Sequence, residues 1–198
     1  MAVSREPILK RCRYLGISPM VMGISKQSNR NPGAGNRRKV SEYGMQLRTK
    51  QQARRFYGIQ EGQFHKYFLM AERQSGVTGE NLLKICESRL DNVVYLLGWA
   101  NSRAQARQLV NHGHFAVNGR KTDIPSYLLR AGDIVSIREK SRDSESIKAI
   151  LENCASRPVP QWLEKNAEKC EAKIVSLPER DMIEAPVEEH YIVEFYSK

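Results

Sequence analysis

The sequence lacks long hydrophobic runs. Nowhere in its 198 residues do about eighteen apolar residues follow one another, so it predicts no membrane-spanning helix. The first ten residues, Met1 to Lys10, also lack the apolar core of a secretion signal. We therefore expect a protein that stays in the cytoplasm, where it is made, and that has no membrane partner.

Cysteine is scarce and dispersed, with four residues at positions 12, 86, 154 and 170. No two of them are close enough in sequence for a metal knuckle, and they do not resemble the dense disulfide framework of a small secreted domain. We expect reduced, mostly packed thiols, with no metal ion, no other cofactor and no small-molecule substrate.

Acidic residues are nearly missing from the first sixty residues, where only Glu6 and Glu42 oppose 13 lysines and arginines. Because so many cations repel one another unless an anion neutralises them, this segment favours a polyanionic partner. Residues 89–142 carry nine basic and four acidic side chains, whereas residues 143–198 carry seven and twelve. This asymmetry indicates a polyanion on one side and another partner, such as a protein, on the other; the alternative is a solvated surface.

Residues 18–42 mix serine, asparagine, proline and glycine with scattered cations and show no apolar period. This composition predicts an irregular, extended arm. Its three consecutive cations, Arg37, Arg38 and Lys39, favour contacts with phosphates. The alternative is a flexible terminal extension.

The first half of the chain has the apolar period of helices. Residues 43–58 form one predicted helix, ended by glycine, with four cations on its polar side: Arg48, Lys50, Arg54 and Arg55. A second predicted helix covers residues 62–74, and its aromatic residues are spaced to face a core rather than to stack on bases. Further helices follow Thr78 and Asp91, and we interpret Asp91 as an N-terminal cap.

The second half changes to the period of strands. Residues 115–122 predict a hairpin around Asn118-Gly119, because both positions of such a turn need positive φ. Another strand is predicted over residues 134–137, and a helix over residues 143–154. The end of the chain, HYIVEFYSK, is rich in β-branched and aromatic residues and predicts a strand.

Residues 102–121, SRAQARQLVNHGHFAVNGRK, bring a helix start, a glycine stop and the hairpin together. Ser102 and Gln105 fit a capping box, in which Gln105 reaches back to the Ser102 amide. Arg103 and Arg107 then lie one turn apart on an exposed side, spaced to engage successive phosphates. The other predicted donors come from the helix end, the turn and the hairpin: Gln108, His112, His114, Asn118, Arg120 and Lys121.

Such a surface predicts recognition of folded RNA by its shape. Cations and amides contact phosphates and 2′-hydroxyls, but they do not read buried base edges. Two alternatives exist for single members of the set. In the first, Arg103 and Arg107 are charges on a solvated helix face. In the second, His112 and His114 bind a metal ion as a pair, which the lack of a nearby third ligand disfavours.

Residues 87–141, from ESRLDNVVYLLG to GDIVSIREKS, resemble the RNA-binding module of the ribosomal protein S-four family. The flanking segments are similar to the bacterial-type ribosomal protein of that family. They are YGMQLRTKQQARRFYGIQEGQFHKYF upstream and PVPQWL, LPERDM and VEFYSK downstream. The resemblance covers nearly the whole chain beyond about residue 40. Many relatives carry a zinc knuckle whose second cysteine matches Cys12, but Leu9 stands at the first position here, which implies a zinc-free variant.

The resemblance implies an α+β fold, in which a mostly helical domain carries an inserted RNA-binding module of small antiparallel sheet plus helices, preceded by a basic extended N-terminal arm. The implied domains are the arm at 1–42, a helical domain at 43–88 and the RNA-binding module at 89–154. A C-terminal segment, 155–198, returns to the helical domain and ends in the predicted strand.

The function implied by the resemblance is that of a structural constituent of the small ribosomal subunit. Members bind small-subunit ribosomal RNA at a multi-helix junction of the five-prime domain and nucleate assembly of the subunit body. Their neighbours are the small-subunit proteins S-five, with which they support translational accuracy, and S-three.

Two other functions use the same module. A pseudouridine synthase has a catalytic aspartate in an Arg-Leu-Asp context, which Arg89-Leu90-Asp91 supplies, but residues 142–198 are too few for a separate catalytic domain. A free-standing RNA chaperone is the second alternative, although such a protein is not expected to carry the flanking helical block.

Overall fold

A computed structural model describes residues 7–22, 24, 26, 40–166 and 168–197. Arg37, Arg38 and Lys39 therefore lie outside the described residues. The described residues form two compact units, one up to Gly79 together with Ala185 onwards, and the other from Glu80 to Glu184. No helix in the described part of the chain is long and apolar enough to cross a membrane.

Helices are the main elements of both units. Within the described residues the α-helices are α1 (Ile8–Leu15), α2 (Glu42–Phe56), α3 (Glu61–Glu72), α4 (Thr78–Glu87), α5 (Leu90–Leu96), α6 (Arg103–Asn111), α7 (Glu139–Arg142), α8 (Glu145–Asn153) and α9 (Glu189–Tyr196). Short 3-10 helices cover Pro19–Met22 and Arg180–Met182. The strands are β1 (Phe115–Val117), β2 (Arg120–Lys121), β3 (Ile134–Ile137), β4 (Leu163–Asn166) and β5 (Glu171–Ile174). This combination confirms the predicted α+β class.

The first unit is built on α2, α3 and α9. Helix α2 begins after Ser41, whose hydroxyl oxygen accepts a hydrogen bond from the Gly44 N–H at 3.2 Å and so caps the helix. The inward stripe predicted for α3 is confirmed, since all four of its members are buried: Phe64, Tyr67, Phe68 and Ala71. These aromatic residues are core, not stacking platforms.

The C-terminal segment is helix α9, so the strand predicted there is wrong. Ile192 is fully buried in the first unit. Gln46 of α2 donates a hydrogen bond to Glu194 at 2.9 Å, and the Tyr196 hydroxyl donates one to Glu61 of α3 at 2.8 Å. β-branched and aromatic residues favour strands, but this preference is weak, and the contacts with α2 and α3 override it.

The sheet of the second unit has the strand order β2-β1-β3-β5-β4, and all neighbouring strands are antiparallel. The predicted hairpin is confirmed, because Asn118 and Gly119 have φ values of 50° and 78°. The predicted strand from Ile134 to Ile137 is also confirmed as β3.

Strands β4 and β5 were not expected from the sequence. Val135 of β3 lies opposite Ala172 of β5, which places this pair of strands in the same sheet as the hairpin. The sheet therefore continues beyond residue 154, where the sequence interpretation ends the RNA-binding module. LEKN has one apolar residue, and EAKI alternates polar and apolar residues over only four positions, which is too short a pattern to predict a strand.

One apolar core holds α5, α6 and the sheet together. The α5 residues predicted to face inward, Leu90, Val93 and Val94, are fully buried in it. The rings of Trp99 and Phe115 stack at a centroid distance of 5.9 Å. Because α6 and the β1–β2 hairpin share this core, the side chains they carry are held on a rigid base.

Candidate nucleic-acid interface

The start of α6 is fixed by hydrogen bonds from its own side chains. The Ser102 hydroxyl oxygen accepts from the Gln105 N–H at 3.3 Å, as the predicted capping box requires. The Gln105 side-chain oxygen accepts from the Asn101 N–H at 2.8 Å rather than from Ser102. The cap therefore closes one residue earlier than predicted, and it still fixes the first turn.

The end of α6 and the hairpin meet at Gly113. Gly113 has a φ of 73°, and a Cβ placed on it would lie only 2.4 Å from Cε of Lys121. The Lys121 side chain therefore lies directly over the Gly113 backbone. The turn that ends α6 and the return strand of the hairpin thus present their donors side by side.

The two histidines flank this turn, with their ring centroids 6.1 Å apart. His112 is exposed, whereas His114 is half-buried and its Nδ1 lies 3.0 Å from the Ser141 hydroxyl. Burial, followed by the charges of His112 and Arg138, lowers the pKa of His114 below its ordinary value. His114 is therefore a neutral hydrogen-bonding group near pH 7, since the ordinary value is already about 6.5.

Asn118 has a structural role in the hairpin. Its side-chain oxygen accepts from the Ile134 N–H at 2.9 Å, and its Nδ2 donates to Asp133 at 2.9 Å. The amide of Asn118 is thus used to tie the turn to β3. Asn118 is also exposed, so its contact with RNA stays a prediction.

The predicted donors that are exposed in this region are Gln108, His112, Asn118, Arg120 and Lys121. Gln108 lies one turn before His112 on α6, and Arg120 and Lys121 form β2 at the edge of the sheet. An edge strand that carries two cations is well suited to contact a phosphate backbone.

The sequence predicts an exposed side of α6 for Arg103 and Arg107, but both side chains are half-buried. Arg103 Nε donates to the Asn92 side-chain oxygen at 2.8 Å. Arg107 Nη1 lies 3.5 Å from a carboxylate oxygen of Asp91, and 29% of the Arg107 side chain is exposed. Both arginines are therefore held by buried residues of α5, Asn92 and Asp91, and are only partly exposed to solvent.

The four predicted cations of α2 belong to the first unit, and one of them is not on a polar side. Lys50 is buried, with Nζ 2.6 Å from Glu61 and 4.3 Å from the centroid of the Phe195 ring. Its predicted exposure is wrong because α3 and α9 cover that side of α2. Arg54 donates to Gln51 at 2.8 Å and is half-buried.

Arg48 and Arg55, the other two cations of α2, are also half-buried. Arg48 lies at the C-terminal end of α1, where its Nη2 is 3.1 Å from the Cβ position of Gly16. A cation at a helix C-terminus is favourable, because the last carbonyls carry partial negative charge.

Two further arginines of the second unit contact residues beside the predicted donors and were missed by sequence reasoning: Arg138 at Gly113, and Arg157 at the Tyr95 ring, which Arg103 also contacts. Arg138 Nη1 donates to the Gly113 carbonyl at 3.0 Å. Arg157 Nη1 donates to the carbonyls of Tyr95 and Ala100, each at 2.8 Å. Both follow the end of an element rather than a periodic pattern, so no sequence signal marks them.

Comparisons with known proteins place the chain in a family. The sequence-family model described as "Ribosomal protein S4/S9 N-terminal domain" matches residues 4–87, and the family model described as "S4 domain" matches residues 88–135. The small ribosomal subunit protein uS4 of Lachnospira eligens is 53% identical over 199 aligned residues, with 100% of both chains covered. The chain belongs to the uS4 family. The uS4 protein of Desulforamulus reducens is 57% identical with 100% of both chains covered, and that of Pelotomaculum thermopropionicum is 59% identical over 82% of this chain and 78% of its own.

Membership of the uS4 family makes the chain a structural ribosomal protein with an RNA-binding S4 domain, and not an enzyme. Nothing supports the pseudouridine synthase alternative. Asp91, its potential catalytic residue, is buried and accepts a hydrogen bond from Arg89 Nε at 2.9 Å. It is not the N-cap of α5 either, since that position is Arg89.

Proposed function

We propose that this uS4 chain binds small-subunit ribosomal RNA through a surface at the end of α6 and the β1–β2 hairpin. We call it the α6–hairpin surface and define it by seven residues: Arg103, Arg107, Gln108, His112, His114, Arg120 and Lys121. The observation that carries the proposal is the position of Lys121 over Gly113, which joins the donors of the helix end to those of the hairpin.

The proposed target is a multi-helix junction in the five-prime domain of that RNA. A junction brings several sugar-phosphate backbones together, and cations fixed on both a helix and a strand can neutralise more than one of them. The surface fits shape recognition, because its members are cations, imidazoles and an amide on a rigid core. Early binding there nucleates assembly of the subunit body.

A second set of phosphate contacts is proposed for the basic first part of the chain. Its members are Arg37, Arg38, Lys39, Arg48, Arg54 and Arg55. The supporting observation is the excess of 13 basic over two acidic residues in the first sixty. Lys50 is left out because Glu61 and the α9 rings enclose it.

The acidic C-terminal part is proposed to face proteins, with S-five and S-three as neighbours in the cytoplasmic ribosome. Residues 143–198 carry twelve acidic and seven basic side chains, and Glu164 and Glu168 are exposed. Since an acidic surface repels phosphates, it suits a protein neighbour better than RNA. Contact with S-five is the proposed route by which the chain supports translational accuracy.

Salt-dependent binding tests the α6–hairpin surface. Affinity of the full chain for a five-prime-domain RNA fragment is measured between about 50 and 200 mM salt. The slope of log affinity against log salt is negative. Replacing both Arg120 and Lys121 by alanine should reduce its magnitude by up to about two, one for each lost phosphate contact. Lys148→Ala, which removes a 58% exposed cation of α8, is the control and should leave the slope unchanged.

An unchanged slope in the double variant would contradict this surface as the binding site.

A separate sedimentation experiment tests the assignment to the small subunit. Tagged protein that sediments with large-subunit fragments, or stays free at low salt, would favour the RNA chaperone instead.

A further inference from the structure

A group of buried polar side chains lies between α4 and α5, in the second unit. Its members are Glu87, Arg89, Asp91 and Asn92, which are only 5%, 1%, 4% and 2% exposed. Polar and charged groups are costly to bury unless each has a partner. Their partners show what this group does, because two of the contacts reach α6.

Asn92 connects Glu87 to Arg103. Its Nδ2 donates to the Glu87 carboxylate at 2.5 Å and to the Glu87 carbonyl at 3.2 Å, while its Oδ1 accepts from Arg103 Nε at 2.8 Å. A carboxylate only accepts hydrogen bonds, so Glu87 fixes which end of the Asn92 amide faces it. The oxygen of Asn92 is thereby aimed at Arg103.

The Tyr95 ring holds the same arginine from another direction. The Cζ atom of Arg103 lies 4.4 Å from the ring centroid, a cation–π distance. An arginine side chain that stacks on a ring and also donates a hydrogen bond to a fixed oxygen can adopt few rotamers. Its side chain is half-buried, so part of it still reaches the surface.

Asp91 connects Arg89 to Arg107 in a parallel way. Its carboxylate accepts from Arg89 Nε at 2.9 Å and from Arg89 Nη2, and Arg107 Nη1 lies 3.5 Å away. Arg89 therefore fixes Asp91, and Asp91 attracts Arg107. The two anchored arginines, Arg103 and Arg107, are one helical turn apart on α6.

We infer that Asn92 and Asp91 are positioning residues that hold Arg103 and Arg107 in the geometry required by successive RNA phosphates. The inference rests on the proposed function, since it assumes that the α6–hairpin surface contacts RNA. An arginine ordered before binding loses less side-chain freedom when it binds, and its planar fork then matches a phosphate.

Stability alone does not explain the buried group. Replacing buried ion pairs by well-packed apolar residues is often neutral or stabilising, so the presence of such a pair is weak evidence for a stabilising role. Here both connections end on partly exposed arginines of the proposed binding surface. That arrangement is what a positioning role requires.

A double-mutant cycle on RNA affinity tests the inference. Arg103→Ala in the full chain should weaken binding of the five-prime-domain fragment by about tenfold, as expected for a charged hydrogen bond. Asn92→Ala should weaken it by about fivefold through lost ordering of Arg103. In the Arg103→Ala background, Asn92→Ala should change affinity by less than about twofold, because the side chain it orders is gone.

The two hypotheses fail in different ways. If Arg103→Ala leaves affinity and salt slope unchanged, the proposed RNA contact is wrong. If Arg103→Ala weakens binding but Asn92→Ala has the same effect in both backgrounds, Asn92 is only structural and the positioning role is wrong. Thermal unfolding of every variant shows that binding is measured on folded protein.

A second cycle keeps the inference testable if Asn92→Ala does not fold. Tyr95→Leu removes the ring beneath Arg103, whereas Tyr95→Phe retains it and is the matched control. Only Tyr95→Leu should weaken RNA binding, by about threefold to fivefold, and only when Arg103 is present. Equal weakening by both Tyr95 variants, or weakening independent of Arg103, would overturn the positioning role.

Discussion

Gly113 is the residue on which the geometry of the α6–hairpin surface depends most directly. Its φ of 73° lies in the left-handed region, and Lys121 Cε occupies the space that a Cβ would need. Glycine thus serves two purposes here, since it allows the turn that ends α6 and lets a cation lie against the backbone.

Gly113→Ala should therefore affect both stability and RNA binding. The left-handed conformation costs an alanine about 1 kcal/mol of unfolding free energy, and the new methyl also displaces Lys121. Gly119→Ala is a matched control, because Gly119 has a φ of 78° but nothing within 4 Å of its Cβ position. Denaturant unfolding should show similar losses for both, whereas RNA affinity should fall clearly only for Gly113→Ala; equal affinities would contradict the role of Lys121.

Individual residues also show where sequence reasoning stops. The pattern around Asn118-Gly119 predicted the turn correctly because the backbone itself requires these residue types. It could not predict that the Asn118 amide is used by β3, or that Lys50 is enclosed by Glu61 and Phe195. Spacing places a side chain on a face, but the partner comes from residues distant in sequence.

At the scale of elements, α9 is held to α3 by a small, partly buried network. Glu61 accepts from Lys50 at 2.6 Å and from the Tyr196 hydroxyl at 2.8 Å. Burial of the Glu61 carboxyl opposes ionisation, but these donors and the charge of Arg54 outweigh it and lower the pKa of Glu61. Because the pKa is lower in the folded protein, this stabilisation is present above the ordinary value and is lost as pH falls through the lowered one.

Tyr196→Phe should reduce the unfolding free energy by about 1 kcal/mol at pH 7, since it removes one hydrogen bond to the Glu61 carboxylate. The difference from the unsubstituted protein should be fully present above the ordinary glutamate pKa and should shrink as pH falls through the lowered pKa of Glu61, because the carboxylate is then protonated. Tyr191→Phe on the same helix is the control, because the Tyr191 hydroxyl makes no hydrogen bond within the described residues. Denaturant unfolding from pH 3 to 8 measures both, and a difference that stays constant with pH would contradict the network.

Elements that show a helical apolar period or follow a turn signal could be predicted, whereas the others could not. The stripe of α3 and the core face of α5 follow the helical period, and both are buried as expected. Helix α9 was not predicted because its residue types favour a strand. Strands β4 and β5 have four residues each and become strands through their pairing within the sheet.

At the scale of the whole molecule, charge is distributed by segment. The first sixty residues and residues 89–142 are basic, whereas residues 143–198 are acidic. Charge is a property of the sequence, so this division could be predicted without a structure. The extent of the sheet could not be predicted in this way, because β5 pairs with β3 across more than thirty residues of chain.

Hydroxyl-radical footprinting tests most directly whether the α6–hairpin surface binds ribosomal RNA. The full chain is added to small-subunit ribosomal RNA, and backbone protection is compared with that given by the Arg120→Ala, Lys121→Ala double variant. We expect the full chain to protect a cluster of backbone positions at one multi-helix junction of the five-prime domain, and the variant to lose a contiguous part of that protection. Identical footprints for the two proteins, or protection outside the five-prime domain, would contradict the proposed binding surface.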